Sequence, residues 1–222
     1  MPVDIESAVS RVAFDDRGLA PCVIQDARSG EVLTLAYMNA EALQLTLESG
    51  EIHLWSRSRG ELWHKGESSG NVQRLAQLRY DCDADALLAL VEPSGPACHT
   101  GERSCFYRDL EGSADSRRDA PAVTGEPVPA PFEALPELER TIEARRRDRP
   151  PDSYSVELLD DPTLAAEKVR EEAGEVVRAV ASESEERVAE ETADLLYHLC
   201  VIALSRDVSL VEALKVLNGR RS

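Results

Sequence analysis

The chain has 222 residues, 42% hydrophobic and 30% charged, an ordinary composition for one large or two small globular domains. Its formal net charge of −17 argues against general binding to nucleic acids or anionic membranes, because both need a basic protein surface. An anionic substrate of this protein therefore needs a local basic pocket or a bound cation.

The sequence carries no sign of export. Acidic residues interrupt any apolar run near the N-terminus, so a signal peptide is not expected, and no stretch is long and apolar enough to span a bilayer. The five cysteines are odd in number and lack the spacing of a disulfide framework. We therefore expect a cytoplasmic protein whose reduced thiols are available as metal ligands.

The first half has the pattern of an α+β domain that is mostly sheet. Strands are predicted over residues 19–25, 32–38, 52–56, 73–80 and 86–91. The first two flank a turn at Ser29-Gly30 and form a hairpin. Asn39 caps a helix that Gly50 ends. Residues 1–18 are not explained by this pattern; they could form a short helix that packs on this domain.

The composition changes near residue 110. Residues 109–132 are rich in Gly, Ser, Pro and Asp and predict an interdomain linker. Beyond it the apolar residues recur with a helical period, over residues 134–147, 164–182, 186–204 and 210–217. We predict two domains, residues 1–108 and 133–222, the second an all-α helical bundle.

One short run of the first domain alternates carboxylates with a thiol. The run is Asp81-Cys82-Asp83-Ala84-Asp85. On a strand or at its end, Cys82 would face away from the three aspartates. With Cys98 and Cys105 it could hold a catalytic zinc ion with one open position; the alternatives are a structural zinc site or three unrelated thiols. The aspartates either end a strand in solvent or hold a cation such as Mg²⁺.

Residues 56–71 form a basic segment. Its guanidinium, ammonium, hydroxyl and backbone N–H groups can surround a phosphate. Trp63 could stack on a base, although a tryptophan more often packs in a core. The candidate substrate-binding residues are Arg57, Arg59, Trp63, Lys65, Ser69, Gly70 and Asn71.

Residues 30–107 resemble phosphoribosyl-AMP cyclohydrolase, an enzyme of histidine biosynthesis. The resemblance rests on Ser56-Arg57-Ser58-Arg59, Leu62-Trp63, Lys65-Gly66-Glu67, Ser69-Gly70-Asn71, the aspartate–cysteine run, Cys98-His99-Thr100-Gly101 and Cys105-Phe106. It implies hydrolytic opening of the adenine ring of phosphoribosyl-AMP between N1 and C6.

The same resemblance implies metal ligands and a partner. It implies Zn²⁺ on Cys82, Cys98 and Cys105, and Mg²⁺ on Asp81, Asp83 and Asp85. The zinc ligands would come from both chains of a homodimer, Cys82 from one and the other two cysteines from its partner. His99 is the candidate acid/base; the alternative is a packed histidine or one that orients a ligand.

Two predicted helices of the second half carry acidic residues. One face of the first holds Lys168, Glu171, Glu172 and Glu175. Taken alone, this could be a solvated acidic face. On the next helix Glu191 and Asp194 lie one turn apart before a long apolar run, so we expect them to be buried and to need a cation such as Mg²⁺.

Residues 135–220 resemble phosphoribosyl-ATP pyrophosphatase, one of the all-α nucleoside-triphosphate pyrophosphohydrolases. The resemblance rests on the acidic residues above, Ser153-Tyr154-Ser155, Lys168-Val169 and Asp194-Leu195-Leu196-Tyr197-His198. It implies Mg²⁺-dependent cleavage of phosphoribosyl-ATP into phosphoribosyl-AMP and pyrophosphate. It implies Mg²⁺ on Glu172, Glu175, Glu191 and Asp194. Glu171 would orient or deprotonate the attacking water, and Lys168 would contact phosphate.

Two hypotheses follow. In the first, the chain is a bifunctional hydrolase of nucleotide substrates, and the product of the second domain is the substrate of the first. In the second, a zinc-stabilised binding module is fused to a helical dimerisation bundle and neither half is catalytic. A structural zinc site would need a fourth protein ligand, for which His99 is the only candidate.

Overall fold

The computed structural model describes residues 4–108 and 131–220. The chain divides into two compact units, Met1–Pro129 and Ala130–Ser222. Residues 109–130 of the predicted linker lie outside the described part of the chain, and its last two residues begin a short 3-10 helix, Pro131–Glu133. No helix of the described residues is long and apolar enough to cross a membrane.

The first unit is α+β and mostly sheet, as predicted. Its elements are α1 (Ile5–Val9), β1 (Ala20–Asp26), β2 (Val32–Met38), α2 (Ala40–Ser49), β3 (His53–Ser56), β4 (Glu61–His64), β5 (Gln73–Tyr80) and β6 (Leu87–Pro93). They form one six-stranded sheet in the order β4-β3-β2-β1-β6-β5. Neighbouring strands are antiparallel except β1 and β6, which are parallel.

The predicted hairpin and helix are both present. Strand β1 pairs with β2, and the turn between them closes with the Gly30 N–H donating to Asp26 O at 2.9 Å. Asn39 Oδ1 accepts from Ala42 N at 2.8 Å at the start of α2. Gly50 ends that helix at φ +72°, in the left-handed region that glycine adopts without a steric penalty.

The core of the first unit lies between the sheet and α2. It is built from Ala20, Cys22, Ile24, Leu33, Met38, Ala42, Leu43, Ile52, Leu54, Leu87, Ala89, Val91 and Ala97. Alternate residues of β1 are buried, as expected for a strand with one face on the core. The N-terminal segment adds Val9, Val12 and Phe14 to this core and contains the short helix α1, the possibility left open for residues 1–18.

Part of the segment predicted as a phosphate-binding loop is a strand. Residues Glu61–His64 form β4, which pairs with β3 so that Leu54 lies opposite Trp63. The connection is a tight turn in which the Gly60 N–H donates to Ser56 O at 2.8 Å, with Gly60 at φ +67°. The basic residues are therefore divided between this turn, β4 and the loop that follows it.

The second unit is a helical bundle, which confirms the predicted class. Its helices are α3 (Ala134–Asp148), α4 (Tyr154–Asp160), α5 (Pro162–Ser182), α6 (Glu185–Leu204) and α7 (Leu210–Gly219). Four of them match predicted helices; the sequence reasoning missed α4. The core is formed by Ile142, Leu158, Ala165, Cys200, Val201 and Leu204.

Candidate active sites

A cavity of about 350 Å³ lies beside the loop that follows β6. It brings together predicted site residues from separate segments, namely Arg59, Trp63, Lys65, Ser69, Asn71, Cys98 and His99. None of its described lining residues carries a carboxylate. The cavity is therefore suited to an anionic or electron-rich ligand, although the chain as a whole is acidic.

The loop at residues 66–71 has a backbone shape that requires glycine. Gly66 adopts φ +93°, and a Cβ there would collide with the backbone of Asn71 and Val72. The Gly70 N–H donates to Gly66 O at 2.8 Å, and Gly70 adopts φ +75° with open space around it. This tight loop places Ser69 and Asn71 in the cavity wall, while Gly70 shapes the turn.

Lys65 is a buried cation between the cavity and two cysteines. Its Nζ donates to Ala97 O at 2.6 Å and lies 5.2 Å from the centroid of the Trp63 ring. Burial lowers the pKa of Lys65, while the nearby Cys105 and Cys98 sulfurs act in the opposite direction. Lys65 therefore also holds in place the loop of residues 97–105 that carries Cys98 and Cys105, hereafter the cysteine loop. The sequence did not indicate this role.

Cys98 and Cys105 interact with each other. Burial alone would raise the pKa of the Cys98 thiol, but hydrogen bonds from Thr100, Cys105 and the His99 N–H outweigh it, so its pKa is lowered. The Thr100 hydroxyl donates to Cys98 Sγ at 3.0 Å. Desolvation and the charge of Cys98 raise the pKa of Cys105. His99 Nδ1 lies 4.0 Å from Cys98 Sγ, close enough to serve the same site.

Arg103, which the sequence reasoning missed, anchors the cysteine loop to the sheet. Its guanidinium pairs with the buried carboxylate of Asp26 and, at 2.5 Å, with Glu31. Next to it the Ser104 hydroxyl donates to Val32 O at 2.7 Å. The sequence did contain one sign of a buried ion pair here: Asp26 is the one polar residue on the otherwise apolar inward face of β1.

The aspartate–cysteine run lies in the turn between β5 and β6, not on a strand, since Ala84 adopts φ +64°. Carboxylate oxygens of Asp81, Asp83 and Asp85 lie within 4.8 Å of one another. The negative charges of Asp83 and Asp81 raise the pKa of Asp85, whereas the Ala86 N–H chiefly lowers that of Asp81. The three aspartates therefore form a cluster with the geometry of a cation site.

Cys82 is exposed, with its Sγ 3.8 Å from Asp83 Oδ1. It does not join the other two predicted zinc ligands. Within residues 4–108 and 131–220, no set of three candidate ligand atoms that includes Cys82 lies within 4.8 Å. Among the described residues, a single chain therefore brings together only two of the three predicted zinc ligands, Cys98 and Cys105.

Arg57 lies outside the smaller cavity. It lines a neighbouring cavity of about 770 Å³, with its guanidinium 3.8 Å from the centroid of the Tyr37 ring. Arg59 and Trp63 line both cavities. The predicted basic segment thus serves two adjoining spaces rather than one.

In the second unit, three of the four predicted Mg²⁺ ligands come together. Oxygens of Glu172 on α5 and of Glu191 and Asp194 on α6 lie within 4.8 Å of one another. Glu191 is buried and paired with Arg187, whereas Asp194 is exposed, contrary to the expectation that both are buried. Glu175 is not part of this group and pairs with Arg178.

Lys168 and Glu171 form an ion pair of 2.7 Å on the same helix. The hydrogen bond and charge of Lys168 lower the pKa of Glu171. The ion pair therefore favours the ionised form of Glu171, which directly precedes Glu172 of the carboxylate cluster.

The Ser153-Tyr154-Ser155 segment fastens α4 to α6. Tyr154 Oη lies 3.3 Å from His198 Nε2, and His198 Nδ1 donates to Asp194 O at 2.9 Å. Ser155 Oγ lies 2.7 Å from Tyr197 Oη. His198 Nδ1 is also 3.9 Å from Glu172 Oε1, so this network borders the carboxylate cluster.

Comparison with known proteins identifies both halves. Residues 34–107 match the family model described as phosphoribosyl-AMP cyclohydrolase, and residues 135–221 match the one described as phosphoribosyl-ATP pyrophosphohydrolase. The chain is 46% identical to a protein of Bacillus subtilis over 94% of each chain. It is 42% identical to a protein of Pyrococcus furiosus over 99% of this chain and 100% of the other.

A protein of Gloeobacter violaceus is 47% identical, over 94% of this chain and 89% of that one. All three relatives bear the name histidine biosynthesis bifunctional protein HisIE. The matches are to enzymes in both halves and do not support the non-catalytic alternative. This chain belongs to the family of bifunctional histidine-biosynthesis proteins, with a phosphoribosyl-AMP cyclohydrolase domain followed by a phosphoribosyl-ATP pyrophosphohydrolase domain.

Proposed function

We propose that the helical unit cleaves phosphoribosyl-ATP to phosphoribosyl-AMP and pyrophosphate, and that the sheet unit opens the adenine ring of that product. The observation that carries the proposal is that each of the two segments that match a family model has its own set of side chains able to bind a metal ion. The first is the Cys98–Cys105 pair beside a cation-lined cavity. The second is the cluster of Glu172, Glu191 and Asp194.

The donor set at the first site fits zinc. Cys98 and Cys105 would supply two thiolates, and Cys82 a third. When bound with one position open, zinc supplies an activated water molecule. Because thiolate ligands must stay reduced, this site also supports a cytoplasmic location.

The residues of the smaller cavity have distinct roles in ring opening. Trp63 offers an aromatic face to the adenine ring. Ser69 and Asn71, fixed by the tight loop, would orient the base through hydrogen bonds. Lys65 favours negative charge developing on the ring, since its ammonium is buried there. His99 would take a proton from the water that adds to C6 and return it to N1 as the N1–C6 bond breaks, because it lies next to Cys98 on the cavity wall.

The three clustered aspartates fit Mg²⁺. Oxygen ligands of this kind suit hard divalent cations. The mutual repulsion that raises the pKa of Asp85 is what such a cation would relieve. We assign Asp81, Asp83 and Asp85 a positioning role next to Cys82.

The zinc site would be completed only in a homodimer. What supports this is that, among the described residues, the three cysteines do not form a group of ligand atoms within 4.8 Å of one another. Mixing a Cys82→Ser chain with a Cys98→Ser chain tests it. Each mixed dimer then keeps one intact site, so random mixing should restore about a quarter of the wild-type ring-opening rate from two inactive parents. A mixture as inactive as its parents would contradict the shared site.

In the helical unit Mg²⁺ would lie between α5 and α6, held by Glu172, Glu191 and Asp194. Bound there, Mg²⁺ neutralises phosphate charge. Glu175, whose present partner is Arg178, would join the set by releasing that arginine. A substrate phosphate would draw Lys168 away from Glu171 and so free that carboxylate to orient the attacking water.

The test of both activities uses phosphoribosyl-ATP with Mg²⁺, with and without Zn²⁺. Pyrophosphate release reports the first reaction and the absorbance change of ring opening the second. We expect pyrophosphate release in both samples and ring opening that depends on Zn²⁺. No turnover by a protein with its full metal content would contradict the proposal.

A further inference from the structure

The larger cavity, of about 770 Å³, has no role in the proposal above. Its wall is formed by strands β2, β3 and β4, by the turn between β3 and β4, and by Arg17, which lies in the segment before β1. Three arginines line it, Arg17, Arg57 and Arg59, together with Tyr37, Trp55 and Trp63. None of its described lining residues carries a carboxylate. The volume lies within the range of small-molecule sites.

Arg17 is held in place by a built turn. The Asp15 carboxylate accepts from the backbone N–H groups of Arg17 and Leu19, each at 2.8 Å. Gly18 adopts φ +72°, and the Asp15 N–H donates to Leu19 O at 2.8 Å. Phe14, just before the turn, packs on the core. Arg17 therefore lies at the cavity because of local structure that precedes the family-matched residues 34–107.

Two of these guanidinium groups carry charge that the described residues do not neutralise. Arg57 lies over the Tyr37 ring, and Arg17 makes only its backbone hydrogen bond; neither pairs with a carboxylate of residues 4–108 or 131–220. Arg59, in contrast, pairs with Glu61 at 2.9 Å. In a chain of net charge −17, two free guanidinium groups at one cavity mark a site for an anion.

We propose that this cavity binds one 5-phosphoribosyl arm of phosphoribosyl-AMP, with Arg17 and Arg57 on the phosphate. The substrate carries two such arms, one on each side of the adenine ring. The smaller cavity is suited to the ring, and Trp63 and Arg59 join the two spaces. Guanidinium forks bind phosphate bidentately. This inference rests on the ring-opening function proposed above.

Arg17→Gln tests the inference, because it removes the charge and leaves the backbone turn. We expect the KM for phosphoribosyl-AMP to rise about tenfold or more, with kcat within about twofold, since the arm is bound in both the ground and transition states. Arg57→Gln should act in the same direction. Arg11→Gln is the matched control, an exposed arginine nearby in sequence that does not line the cavity.

Inhibition by AMP shows which arm the cavity holds. If it holds the arm of AMP, Arg17→Gln weakens AMP inhibition by a similar factor. If it holds the other arm, AMP inhibition stays unchanged while the substrate KM rises. A KM that is unchanged in Arg17→Gln, or raised equally in Arg11→Gln, overturns the inference while wild-type ring opening stands. A wild-type protein with no ring opening would instead overturn the proposed function.

Discussion

Replacing Arg103 with methionine tests how the cysteine loop is held. The substitution leaves the buried Asp26 carboxylate, 3% exposed, without its cationic partner. Breaking a buried ion pair costs about 3–5 kcal/mol. The cost should be lower here, because the Arg103 side chain is 38% exposed. Asp26 also keeps hydrogen bonds from the N–H groups of Arg28 and Ser29. We expect a loss of about 2 kcal/mol.

Tryptophan fluorescence is the assay, since both tryptophans of the chain, Trp55 and Trp63, lie in the sheet unit. With a urea dependence of about 1–3 kcal/mol per molar, the expected loss lowers the midpoint of that unit by about 1 M. The control is Arg28→Met in the β1–β2 hairpin, which contains Asp26. This substitution should change the free energy of unfolding by less than about 0.5 kcal/mol.

Two outcomes would refute this reasoning. One is a midpoint for Arg103→Met that matches the wild type, which would mean that the ion pair adds nothing. The other is an equal shift of the midpoint for Arg28→Met, which would mean that the loss of any arginine near Asp26 has the same effect. Both samples should contain the same amount of Zn²⁺, because metal binding itself stabilises the folded state.

Two further predictions concern the backbone and the thiols. Gly66→Ala should destabilise the sheet unit by more than the ~1–2 kcal/mol expected for Gly70→Ala, because both glycines adopt positive φ but only Gly66 lacks room for a Cβ. Urea midpoints from the same fluorescence assay compare the two variants. Equal losses of stability in both would contradict this prediction. Burial raises the pKa of Cys22 and Cys200 to about 12. Mass spectrometry after iodoacetamide treatment of the zinc-free protein at pH 8 should therefore find both unmodified and the exposed Cys82 modified. Rapid labelling of Cys22 in the native state would contradict its burial.

The sequence allowed correct prediction of elements that depend on local signals. The first hairpin and α2 have turn and cap residues, such as Gly30 and Asn39, that act within a few residues of themselves. Strand β4 was missed because four residues in a polar, glycine-containing segment give little strand signal until they pair with β3. Helix α4 was missed because it is short and lies between prolines, and burial of Leu158 stabilises it.

The residue types of the candidate sites could be predicted from the sequence, but their grouping only in part. Asp81, Asp83 and Asp85 come together as expected, whereas Glu175 pairs with Arg178 and is not in the cluster of Glu172, Glu191 and Asp194. Sequence patterns identified the thiols and carboxylates, yet whether Glu175 faces Glu191 depends on how α5 rotates against α6. Contacts between distant residues cannot be read from local patterns: the sequence marks Asp26 as a polar residue on an apolar strand face, but nothing in it identifies Arg103 as its partner.

The most direct test of two consecutive reactions at two sites compares Cys98→Ser with Glu191→Gln on phosphoribosyl-ATP, with pyrophosphate and both nucleotide products quantified together. Cys98→Ser should release pyrophosphate at the wild-type rate and accumulate phosphoribosyl-AMP with its ring closed. Glu191→Gln should release no pyrophosphate but open the ring of added phosphoribosyl-AMP normally. Loss of both activities from either single substitution would contradict two separate sites.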